Sequence, residues 1–280
     1  MNKQEIEKRV TDYIKNSEDN FIKKDAALSD VVAGMKIFDE PIFAFGDADD
    51  PLFKQLKNPS VIGHHFKTPK EWLPQAKTVI SFFLPFSESV RKNNRLLKTW
   101  PSEGWLHGRI EGQAFLNKVC QYLDKELVKA SYKSVIPSLD KRFRSRSGRN
   151  INNLKLNSNI SDLPFFTSNW SERHVAFVCG LGTFGLSKGL ITKKGVAGRF
   201  GSIVTDLYLK LDYREYEGLS EYCSKCGDCI TQCPANAISL EKGKNHLICS
   251  EFLDIIKMKY KPRYGCGKCQ VNVSCESSIP

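Results

Sequence analysis

Residues 223–240 read CSKCGDCITQCPANAISL, with four cysteines inside eleven positions and a proline directly after the fourth. The spacing C-x2-C-x2-C-x3-C-P is the run by which bacterial ferredoxins hold [4Fe–4S] clusters, and its fourth cysteine ordinarily serves a second cluster. More thiols are therefore required downstream, and Cys249, Cys266, Cys269 and Cys275 supply them. Residues 223–275 thus carry eight cysteines, the number of thiolates that two cubanes take. The short segment CGDC at 226–229 recurs as CGKC at 266–269. A loop with two residues between cysteines wraps three corners of a cube, and the fourth corner lies beyond its reach. Cys223, Cys226, Cys229 and Cys275 are accordingly assigned to one cluster, and Cys233, Cys249, Cys266 and Cys269 to the other. Pro234 is expected at the first position of a short helix, where its missing N–H costs nothing. The second run departs from the usual pattern, with QVNVS between Cys269 and Cys275 and no proline after it.

Zinc and disulfides are the competing readings. Zinc sites pair two C-x2-C units across a longer gap, and a third thiol followed by x3-C-P has no role in a tetrahedron. Disulfides suit secreted chains, whereas this one opens MNKQEIEKRV with no apolar signal segment. The expected setting is the cytoplasm of a cell living with little oxygen. The longest apolar run, TVISFFLPF at 78–86, is too short for a membrane span and contains a proline.

The chain has 280 residues, room for one sizeable domain and a small one. Residues 1–217 are read as an α+β core and 218–280 as a ferredoxin-like two-cluster domain. Formal charge is +11, or about +7 once two oxidised clusters with their thiolates are counted. Such a surface suits an acidic electron donor such as ferredoxin or flavodoxin, a nucleic acid, or an anionic cofactor. The densest basic patch, at 141–160, has six basic residues and no acid. It reads as a solvated loop or as a strip for phosphate; with only Phe143 in it, single-strand stacking lacks a platform.

Periodicity gives a coarse architecture. Ile6, Val10 and Ile14 mark one face of a helix over 3–17. Residues 18–68 read as irregular, with the acidic stretch 39–51 a solvated loop. The run 78–84 reads as a buried strand and 108–130 as a long helix. Short strands are expected at 134–136, 174–178 and 202–209. Cys120 reads as a small buried residue, His64-His65 as a loop pair, and His107 and His246 as solitary. Gly180, Gly182 and Gly185 form a G-x-G-x-x-G after the expected strand. The following LSKGLITKKG opens no long helix, as a dinucleotide site requires. The turn is read instead as a close backbone approach to something flat or bulky.

Four blocks, TPKEWLPQAKTVISFFLPF (68–86), ERHVAFVCGLGTFG (172–185), GRFGSIVTDL (198–207) and the cysteine-rich tail, resemble in combination the epoxyqueuosine reductase family. That family shares a cobalamin-binding core with reductive dehalogenases. The resemblance implies a nitroreductase-like α+β core holding base-off cobalamin beside a ferredoxin-like double [4Fe–4S] domain, with electrons passing through the clusters to cobalt. It implies Glu172 and Arg173 as pocket residues. Ser168, Asn169, Cys179, Gly180, Leu181, Gly182 and Gly185 are the positions expected near the corrinoid. The family's aspartate proton donor falls on Phe166 when counted back from Glu172-Arg173, so another acid is needed; His174 is a candidate. The resulting expectation is a cobalamin-dependent reductase acting on a small molecule or nucleoside, and a paralogue rather than a tRNA reductase. An electron-transfer partner without its own corrinoid, a tRNA reductase using a different acid, and a zinc-dependent nucleic-acid module are the alternatives.

Overall fold

The computed structural model describes residues 1–146 and 165–280. The chain opens with α1 (Lys3–Asn16), started by a capping box in which Asn2 and Glu5 satisfy each other's backbone N–H. Its buried face is Ile6, Val10 and Ile14, as the spacing predicts. There follow β1 (Ile42–Asp47), α2 (Pro51–Gln55), α3 (Pro69–Trp72) and β2 (Thr78–Pro85). Next come α4 (Glu88–Arg95), the long α5 (Glu103–Lys129), β3 (Ser134–Val135) and β4 (Ser145–Arg146). Beyond these lie β5 (Thr167–Ser168), α6 (Glu172–Cys179), β6 (Gly182–Phe184), β7 (Leu190–Thr192) and β8 (Gly198–Thr205). The C-terminal segment holds α7 (Asp228–Thr231), β9 (Ile238–Ser239), β10 (Gly243–Lys244) and α8 (His246–Tyr260).

The central sheet has the order β1-β2-β8-β3, and every neighbouring pair is antiparallel. Strand β2 is buried along its whole length because both faces of the sheet are covered. Ile80, Phe82 and Leu84 join the Leu116, Val119 and Leu123 side of α5. Val79 and Phe83, one position out of phase, join Val175 and Ala176 of α6. A strand buried on both faces reads as a continuous apolar run, and this one does.

Three expectations about elements need correction. Residues 174–178 are not a strand but the body of α6. The run VAFVC at 175–179 is apolar and buried at every position, and so short an apolar run cannot be told from a strand by periodicity. Glu172 stands in its first turn and Gly180, at φ 102°, ends it in the left-handed conformation that glycine tolerates. Residues 39–51 are not a solvated loop: IFAFGD forms β1, with Phe45 fully buried. Pro234 opens no helix; it lies in a turn closed by Asn236 N–H donating to Cys233 O at 3.1 Å. Two boundaries also move. The long helix begins at Glu103 because the Ser102 side chain caps it, and the expected strand 202–209 runs from Gly198 to Thr205.

His107 is not solitary. It is fully buried, accepts from Leu28 N–H at 3.1 Å and bonds Glu111 at 3.0 Å. Burial alone would raise the Glu111 carboxyl, but His107 and Arg263 bind it and hold its pKa at about 2. Arg263 grips it with both Nη atoms, at 2.5 and 2.6 Å, clamping the C-terminal segment onto α5. A second clamp is Glu276, which receives Arg91 and Arg95 of α4. Of the basic patch, residues 147–160 lie outside the described residues. Arg142 is held by Asp140 and the Trp72 carbonyl, and Arg144 donates to the carbonyls of Lys141 and Phe143.

Candidate functional site

A cavity of about 860 Å³ opens between α5, β8, the first turn of α6 and the C-terminal segment. Small-molecule sites occupy roughly 300–1,000 Å³, so this one has room for a large cofactor. Its wall takes Arg109, Gln113 and Cys120 from α5 and residues 198–201 from β8. Ser168 and the run Ser171–His174 complete the core side. The opposite wall carries Cys233, Cys249, Cys266 and Cys269, all four thiols of the second set. The first set, Cys223, Cys226, Cys229 and Cys275, lines a separate small cavity with Gly185.

Thiols of both sets raise one another, and Cys229 of the first set feels Cys269 of the second as well as Cys223 and Cys226. Burial pushes Cys275 up to about 12, and Cys229, Cys223 and Cys226 add to it. Burial also pushes Cys266 up to about 12, with Cys269 and Cys249 adding. Each set offers four soft donors, the complement of one [4Fe–4S] cluster. Among the described residues no three His, Cys, Asp or Glu side chains converge as a single ion would require. Cys275 reaches its set because its carbonyl accepts from Val196 N–H at 2.9 Å, and Glu276 O from Ala197 N–H at 3.2 Å.

The start of α6 places three polar side chains on the cavity. Burial raises the Glu172 carboxyl to about 8, with the nearby Ser202 and Ser138 hydroxyls partly opposing. Ser202 Oγ donates to Glu172 Oε2 at 2.7 Å and accepts from Trp170 Nε1 at 2.9 Å, while Oε1 has no partner. His174 is pushed down to about 4 by burial and by Arg173; its Nδ1 bonds Ser171 Oγ at 2.8 Å. Arg173 is exposed to the cavity; desolvation by the enclosing walls lowers its pKa while Cys269 acts against that. Its Nη1 donates to Lys188 O at 2.6 Å. Lys244 Nζ lies 3.5 Å from Cys269 Sγ.

Not every residue expected at the site lines the cavity. Ser168, Glu172, Arg173 and His174 do; Asn169, Cys179, Gly180, Leu181, Gly182 and Gly185 do not. Asn169 bonds the backbone of Arg142 and Arg144. Cys179 is buried against β1 and β2, its thiol 3.8 Å from Val79 O. Gly182 lets β6 lie against β7: a Cβ there would stand 1.9 Å from Ile191 O. The glycine turn thus approaches protein backbone and, at Gly185, the first thiol set. Arg109, Gln113, Arg199 and Ser202 went unread in the sequence. The signal available was Arg199 itself, an arginine inside the otherwise apolar GRFGSIV.

Fold and site define a class: an α+β protein whose antiparallel sheet carries a large cavity walled by one of two four-thiol sets. No family model matches the chain. Its neighbours among solved structures are epoxyqueuosine reductases and reductive dehalogenases. One epoxyqueuosine reductase superposes with TM-score 0.52 at 18% identity, covering 98% of this chain and 66% of that one. A reductive dehalogenase for which a B12-dependent mechanism is described gives 0.50 at 14% identity, over 82% and 29%. At these identities the likeness is one of fold. In sequence, the epoxyqueuosine reductase of Vibrio cholerae is 25% identical over 161 residues, 54% of this chain and 41% of that protein. The tetrachloroethene reductive dehalogenase of Desulfitobacterium hafniense is 42% identical over 69 residues, 24% of this chain and 12% of that protein. The chain spans less than half the length of these two relatives. Among the described residues no helix is long and apolar enough to cross a membrane.

Proposed function

We propose that this chain is a cobalamin-dependent iron–sulfur reductase acting on a small molecule or nucleoside. The observation that carries the reading is the shared cavity. Four thiols suited to a [4Fe–4S] cluster line the same wall system as two buried polar atoms without partners, Glu172 Oε1 and Arg199 Nε. An unpaired buried polar group is costly, so both fit a site completed by a polar ligand. The amide-rich rim of a corrinoid suits them, and the fold neighbours include a protein with B12-dependent chemistry. Bound here, cobalamin would supply a low-valent cobalt reductant and the clusters single electrons.

The chain's own residues divide the remaining work. Cys223, Cys226, Cys229 and Cys275 would hold one cluster, and Cys233, Cys249, Cys266 and Cys269, which line the cavity, the other. Arg173 and Lys244, both near Cys269, would balance the negative charge of a cluster bound there. Phe166, where the resembling family carries its aspartate, has no proton to give. Glu172 is the acid in its place, protonated at neutral pH and fixed in orientation by Ser202. His174 is neutral at that pH and serves to position the turn. Residues 218–280 form the electron-entry module, served by an acidic ferredoxin or flavodoxin.

Anaerobic purification with iron, sulfide and cobalt quantification, with and without added cobalamin, tests the reading. About eight irons and one cobalt per chain are expected. Eight irons with no corrinoid uptake would make the chain an electron carrier; colourless protein free of sulfide would end the redox reading.

A further inference from the structure

The cavity wall is charged almost wholly with one sign. Apart from the thiols and Glu172, its ionisable chains are His174, Tyr264 and six cations: Arg109, Arg146, Arg173, Arg199, Lys244 and Lys268. Most of the cations have work. Lys268 donates to the carbonyls of Asn94 and Leu97, Arg173 to that of Lys188, Lys244 lies against Cys269, and Arg146 stacks on Phe165.

Arg199 and Arg109 differ. Among the described residues neither meets a carboxylate within ion-pair distance. Arg199 rises from β8 into the wall, gives one Nη2 bond to Gln113 Oε1, and leaves Nε buried without a partner. Arg109 lies with its guanidinium 4.7 Å over the Tyr264 ring. Burial pushes the Arg199 pKa down to about 9, and Arg109 and Arg173 push it the same way. It stays cationic at neutral pH, so the protein keeps a half-buried positive charge, with its Nε fully buried, beside others of the same sign. Such a charge is expensive unless paired, and a planar guanidinium with a free N–H is built to receive two oxygens of an anion.

We propose that Arg199 and Arg109 form an oxyanion seat in this cavity, for a carboxylate or phosphate borne by the substrate or by the cofactor. The inference rests on the cavity being the ligand site of the reductase proposed above. It adds that an anionic group is held on the β8–α5 wall, where Arg109 packs against Tyr264 and Gly265.

The test uses anaerobically prepared protein whose iron and sulfide content is measured first, so that a failed seat and a failed redox reading remain distinct. Calorimetric titration compares inorganic phosphate, benzoate, cobalamin and cobinamide, which lacks the nucleotide phosphate. Wild type is expected to bind at least one probe anion, and Arg199→Gln and Arg109→Gln to lose tenfold or more in affinity with iron content unchanged. If both variants weaken cobalamin but leave cobinamide unaltered, the oxyanion belongs to the cofactor. If cobalamin-loaded protein still binds phosphate or benzoate and the variants lose that binding, it belongs to the substrate. Anion-free Arg199→Gln should also melt higher than wild type, because it no longer buries an unpaired charge. Clusters intact with no probe anion bound by wild type would overturn the seat. So would variants that bind every probe as wild type does, or an Arg199→Gln protein that melts lower.

Discussion

Glu172 shows how one residue's surroundings decide its chemistry. A surface glutamate ionises near 4.3; here burial carries the pKa to about 8. Between these values the native protein holds a proton that the unfolded chain has released. Unfolding then sheds a proton, and stability falls as pH rises. Glu172→Gln removes that dependence. Its stability should match wild type near pH 4.5 and exceed it by about 2 kcal/mol at pH 8, a discounted value for a group open to a cavity. Urea unfolding under argon at a series of pH values measures the gap, and parallel profiles would rule out a protonated Glu172. The same variant should lose roughly 10²–10⁴ in reductive turnover if this carboxyl is the acid. The family resemblance made Glu172 conspicuous in the sequence, but not its partner Ser202, thirty positions away on β8.

At the scale of elements, the legible parts were those whose pattern has one interpretation. Ile6, Val10 and Ile14 fit only a helix, and TVISFFL is too β-branched and aromatic for anything but a buried strand. The segment 172–179 was illegible because its last five positions, 175–179, are all buried and show no helical stripe. Strand β1 was hidden among acidic residues that belong to its ends rather than to its middle. A glycine after β7 carries an element-scale consequence. Gly195 has φ 75°, and a Cβ there would stand 2.3 Å from Glu276 O, against the backbone that delivers Cys275. Gly195→Ala should therefore dislodge Cys275 and lower iron from about eight to about four per chain, since only the first set is disturbed. Gly34 is the control: its φ is 74°, yet nothing lies within 4 Å of a Cβ. Gly34→Ala should cost only the backbone strain, about 1 kcal/mol, and retain all its iron. Equal iron loss in both variants would show that general destabilisation, not the Cys275 contact, is responsible.

Across the whole molecule, the thiols were readable because ligand spacing is local, whereas the cavity was not, because its wall joins positions as distant as Arg109, Arg199 and Cys269. Only the folded chain brings these together. The same assembly gives the proposed electron path a direction. Cys226 of the first set is exposed, while the second set faces the cavity. A donor would thus deliver electrons at the first set, on a chain whose formal charge is +11. Opposite charges speed such encounters, and salt screens them over a Debye length of roughly 8–10 Å at 0.10–0.15 M. The rate at which an acidic flavodoxin or ferredoxin reduces the clusters should fall roughly tenfold between 0.05 and 0.5 M salt. Reduction by a small neutral donor should change little over that range. Stopped-flow absorbance under argon separates the two, and a salt-independent rate with the acidic donor would mean that its docking does not use this positive surface.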